Sequence, residues 1–139
     1  MSGAFTSDVP AALRREAKRA LGGLLLLLFL GLPAVAIAHA KLVKCDPADG
    51  AVLHQSPERV IAWFNDELET VASSMTVLDD RGRQVNTGRG GVDLNDPDHA
   101  SIVAILPTTL PPGRYTVHWT AASTDGHESQ RGAFAFEVQ

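Results

Sequence analysis

From residue 39 onward, apolar and polar positions alternate with period two in short runs, and no run carries a helical period. In "ERVIAWFN", Val60, Ala62 and Phe64 share one face, with Ile61 and Trp63 on the other. "SSMTVLDD" leads into "DDRGRQV", where Gly82 is placed to supply a hairpin turn. "SIVAILP" is a nearly unbroken apolar run. In "LPPGRYTVHWTAAS", Tyr115, Val117, Trp119 and Ala121 alternate with Thr116, His118 and Thr120. "GAFAFEVQ" sets Phe134, Phe136 and Val138 on one face. Turn residues separate these runs at intervals that predict an all-β sandwich or barrel. "NTGRGGVDLNDPDHA" reads as a long loop with at most one short strand, and "KLVK" as a first strand closed by "DPADG". The predicted core is Val60, Ala62, Phe64, Val77, Ile102, Ala104, Leu106, Tyr115, Val117, Trp119, Phe134, Phe136 and Val138.

The pattern before residue 39 is different. Arg14, Arg15, Lys18 and Arg19 precede an apolar stretch from Leu21 to Ile37, which ends in Ala36-Ile37-Ala38. A basic region, an apolar centre and an A-x-A site read as a secretory signal peptide over residues 1–38, cut between Ala38 and His39. The alternative, a membrane anchor, wants roughly 20 apolar residues, and Gly31 and Pro33 break this stretch near its end. The expected mature domain is then residues 39–139, enough for one core.

The chain carries a formal charge of -4, and removal of the leader's four basic and two acidic residues leaves eight basic and fourteen acidic. That acidity argues against nucleic acid or an anionic membrane surface as partner and is compatible with attraction of cations. Cys45 is the sole cysteine, which excludes an intramolecular disulfide, and it reads as a small buried residue of the first strand.

Of the five histidines, His54 and His99 fall in polar turn segments, and His118 faces away from its strand's core positions. His127 stands in "STDGHES", two residues after Asp125. On an extended segment the two side chains point the same way, with Gly126 permitting a bend at the strand end. His39 adds two donors once it is the N-terminus, its imidazole and its α-amine, whose reference pKa of ~7.7–8.0 lets a metal displace the proton near neutrality. Three nitrogens and one carboxylate oxygen in a tetragonal plane suit Cu(II). Met75 is the only methionine after the leader, so a methionine-rich Cu(I) site is not expected.

With these residues assembled, the chain resembles the CopC-type periplasmic copper-binding proteins. The resemblance rests on "HAKLVKCDPADG", "WFNDEL", "LPPGRYTVHW" and "STDGHESQRGAFAFEV", in that order along residues 39–139. It implies a small Greek-key β-barrel of immunoglobulin-like type. It also implies one Cu(II) per chain, held by the amine and imidazole of His39 with Asp125 and His127. A CopD-like inner-membrane transporter, as a separate chain, is the implied partner. Asp66 matches a position where the family often has an acid near the copper, and reads equally as an exposed loop acid. Glu128 stands where the family often has proline; it could add a nearby charge, and is expected to point to solvent.

The resulting expectation is a non-enzymatic periplasmic protein that sequesters Cu(II) or delivers it. Two alternatives remain at this level. One is a copper oxidase like the lytic polysaccharide monooxygenases, against which stand Asp125 in an equatorial position and two tryptophans that read as core. The other is a metal-free immunoglobulin-like interaction domain.

Overall fold

The computed structural model describes residues 39–126 and 128–139. The expected signal peptide, its cleavage site and His127 lie outside the described residues. Eight strands are present: β1 (Leu42–Asp46), β2 (Ala51–Leu53), β3 (Arg59–Phe64), β4 (Ser74–Leu78), β5 (Thr87–Val92), β6 (Ser101–Ile105), β7 (Gly113–Ala122) and β8 (Ser129–Val138). Among the described residues there is no helix, and hence none able to cross a membrane.

The strands join in the order β1-β3-β6-β5-β4-β7-β8-β2. β5 joins the two halves of this curled sheet, pairing with β6 through Gly91↔Val103 and Val92↔Ile102, and with β4 through Met75↔Gly90. All pairs are antiparallel except β2 with β8. The all-β class and the sandwich or barrel architecture read from the sequence are therefore found. Period-two alternation is the physical reason: in β3, Val60, Ala62 and Phe64 are buried, while Ile61 and Trp63 are only partly so.

Every predicted core position is buried except Trp119. Its ring meets Phe64 of the other half edge-on, with centroids 5.1 Å apart, and lies across Gly132, its partner on β8. A Cβ at Gly132 would fall 2.3 Å from Trp119 Cζ2, so the indole occupies the space a side chain there would need. Trp63 is not a core residue either: it sits half-buried on the outer face, with Lys44 Nζ 4.2 Å from its ring centroid. Met75, Leu68, Val92 and Leu110 join the core unannounced by the alternation. Cys45 does lie in β1, packed against the core but only partly buried, and loss of solvation raises its thiol pKa.

The connections follow their turn chemistry. Gly82, at φ 74°, closes the turn after β4, where Asp79 Oδ1 accepts the N–H groups of Arg81 and Arg83. The glycine-rich stretch does hold one short strand, β5, and then the 93–100 connection. Asp96 braces that connection, accepting from Ser101 Oγ at 2.6 Å and from the backbone N–H groups of Asp98 and Ala100. The Ser101 hydroxyl is the main reason its carboxyl titrates below the ordinary range. β2 was not legible, because it is three residues long and sits at the sheet edge.

Two consequences are measurable. Gly132→Ala should destabilise the fold by about 1–3 kcal/mol through overpacking. In denaturant titrations, combining it with Trp119→Leu should cost less than the two losses added; strict additivity would contradict the contact. Because the folded-state pKa of Asp96 is depressed, its contribution is present above the unfolded value and is lost as pH falls through the folded one. The stability gap between wild type and Asp96→Asn should therefore be constant above about pH 5 and shrink below about pH 4. A gap that widens on acidification would refute the assignment.

Candidate metal centre

Strand register brings four segments to one end of the sheet. β1 starts at Leu42 opposite Phe64, where β3 ends, and β6 starts beside the same strand end at Ser101↔Trp63. β7 ends at Ala122 opposite Ser129, where β8 begins, and β4 starts nearby at Ser74↔Thr120. Residues 39–41, 65–73, 93–100, 123–126 and 128 therefore share this end. Eight of the fourteen acids after residue 38 lie on these segments: Asp66, Glu67, Glu69, Asp93, Asp96, Asp98, Asp125 and Glu128. Such a concentration of carboxylates draws cations to this end in preference to the rest of the surface.

The N-terminal segment is anchored before β1 begins. Lys41 N donates to Asn65 Oδ1 at 2.6 Å, and Asn65 N donates to the Lys41 carbonyl at 3.1 Å. Ala40 is buried with 1% exposure, so His39 leaves the core from a held backbone. Its ring is about one-third exposed, and Nε2 lies 3.0 Å from Glu128 Oε2. Glu128 combines the two readings open for it, a solvent-exposed acid and a charge near the candidate site. Its side chain is 60% exposed but reaches back across the end of the sheet to His39.

Asp125 does not sit on an extended segment. β7 stops at Ala122, and residues 124–126 form a turn. The cause is the 65–73 connection, which takes over the hydrogen bonding: Leu68 bridges Ser123, Thr124 N donates to the Glu67 carbonyl, and Glu69 N donates to the Ala122 carbonyl. Period-two alternation therefore does not set the direction of the Asp125 side chain. Asp66 Oδ2 accepts from Ser123 Oγ at 2.6 Å, and Ser123 Oγ accepts from Asp125 N at 3.3 Å. Asp66 is thus no loose loop acid: it is half-buried and braces the turn that carries Asp125. Ser123, 1% exposed, is the link that sequence reasoning missed. Its position next to the D-x-H motif was visible, but its partner 57 residues away was not.

The other histidines are dispersed. His54 and His118 are exposed, as expected. His99 has φ 47° and a side chain 44% exposed, with Nδ1 3.9 Å from Glu67 Oε1. Its backbone ties two of the site-end segments together, because its carbonyl accepts from Leu68 N. Met75 is 1% exposed. Among the described residues no group of three or more His, Cys, Asp or Glu side chains is arranged to hold a metal ion. Any site built on His39 and Asp125 needs His127, which is outside the described residues.

The comparisons with known proteins agree with this architecture. The chain is 32% identical over 104 residues to the copper transport protein CutJ of Bacillus subtilis (strain 168), a match covering 75% of this chain but only 19% of that protein. The crystal structure of CopC from Methylosinus trichosporium OB3b superposes with a TM-score of 0.64 at 26% identity, covering 73% of this chain and 94% of that one. PcoC, a methionine-rich copper resistance protein from Escherichia coli, superposes with a TM-score of 0.57 at 27% identity, covering 73% and 100%. Residues 42–139 match the CopC domain, and the chain belongs to that family.

Proposed function

We propose that this chain is a non-enzymatic, exported Cu(II)-binding protein that acts in the periplasm. It sequesters copper or passes it to an inner-membrane transporter of the CopD kind on a separate chain. One Cu(II) is held per chain by the α-amine and imidazole of His39, the carboxylate of Asp125 and the imidazole of His127. Family membership and relatives named for copper transport and copper resistance support the copper assignment.

The observation that carries the site is the 3.0 Å contact between His39 and Glu128. Glu128 is the chain neighbour of His127. An N-terminal histidine whose ring touches that neighbour lies at the end of the sheet that also carries Asp125. The donor chemistry fits as well: nitrogen-rich, with one carboxylate and, among the described residues, no surface thioether, since Met75 is buried. Asp66, acting through Ser123, steadies the turn and so the carboxylate of Asp125.

In the uncut chain the His39 nitrogen is a peptide amide, so export and cleavage after Ala38 complete the donor set. Titration of Cu(II) into protein beginning at His39 should reveal one tight site. A Met-extended form should bind more than about 100-fold more weakly, exceeding the 10–100-fold cost typical of outer-shell changes. Equal affinities, or no tight site in the processed form, would refute the proposal. In the same titration His127→Ala should lose most of the affinity, while His54→Ala and His99→Ala stay near wild type. Comparable losses in all three would place the copper elsewhere.

A further inference from the structure

A histidine that binds metal through one ring nitrogen is best prepared when the other nitrogen is committed to an acceptor, which fixes tautomer and ring orientation. For an N-terminal histidine, the nitrogen that closes a small chelate ring with the α-amine is Nδ1. Nε2 lies on the far side of the imidazole and cannot close that ring. Nε2 is the atom that meets Glu128, at 3.0 Å.

We propose that Glu128 is the positioning residue of the copper centre: its carboxylate accepts the Nε2–H of His39 and thereby directs the Nδ1 lone pair, with the amine, at the metal. This rests on the copper reading above. Glu128 can do this because its backbone is held on one side by β8, whose first residue, Ser129, is paired with Ala122. His39 is held from the other direction by buried Ala40 and the Lys41–Asn65 bonds. Two anchored backbones fix the separation of the two side chains.

The pair has little to do for stability. Both side chains reach solvent, at 33% and 60% exposure, and contacts so exposed contribute almost nothing measurable to folding. Variants at 128 should therefore fold normally, which a thermal melt checks.

The test uses protein starting at His39, with Glu128→Gln and Glu128→Leu beside wild type. The tautomer of His39 is read by imidazole 15N NMR in copper-free protein, and Cu(II) affinity by competition titration. Wild type should show the Nε2–H form alone, and Glu128→Leu both tautomers with affinity about 10–100-fold weaker. Glu128→Gln, whose amide oxygen still accepts the Nε2–H, should keep the tautomer and most of the affinity. Wild-type affinity in Glu128→Leu would overturn the proposal. Equal losses in Gln and Leu variants would overturn it too, since charge or direct ligation would then be the cause. Absence of a tight site in wild type would refute the copper reading itself, a result distinct from either of these.

Discussion

The reciprocal hydrogen bonds between Lys41 and Asn65 are the constraint on which the candidate site depends. A chain terminus is ordinarily the most mobile part of a domain. Here the first residues after the expected cut are fixed to the end of β3, with Ala40 in the core and His39 emerging immediately before it. A donor residue that is ordered in advance loses less entropy when it binds, so more of the interaction energy appears as affinity. The arrangement explains how a terminal amine could serve as a ligand at all.

The second constraint comes from the far end of the chain. β7 and β8 form the longest ladder of the molecule, from Gly113↔Val138 to Ala122↔Ser129. It delivers the turn at residues 124–126 to the same end as His39. There the 65–73 connection captures the turn through Leu68, Glu67 and Asp66. Three stretches distant in sequence are thus locked together by backbone bonds and one buried serine. Beneath them, the edge-on contact of Phe64 with Trp119 joins the two halves of the sheet.

Alternation was enough to read the strands and nearly all of the core, because burial on one face leaves a direct mark on every second residue. It failed at Trp119, which is only partly buried and packs over a glycine of the neighbouring strand, and at β2, which is too short to show a pattern. The candidate ligands were legible from donor chemistry and from the cleavage motif. Their supports were not. Asp66 was singled out only through the resemblance, while Ser123 and Glu128 act across distances that no local pattern encodes, and the turn at Asp125 is imposed by a segment more than fifty residues earlier.

The central claim is that cutting the chain before His39 creates a copper ligand set of three nitrogens and one oxygen. Electron paramagnetic resonance of the Cu(II)-loaded processed protein, compared with natural-abundance and 15N-labelled samples, counts the equatorial nitrogens directly. The account predicts three, with one of them belonging to the α-amine of His39 and lost when a single residue precedes it. A spectrum with the same nitrogen count in the processed and extended forms would contradict it.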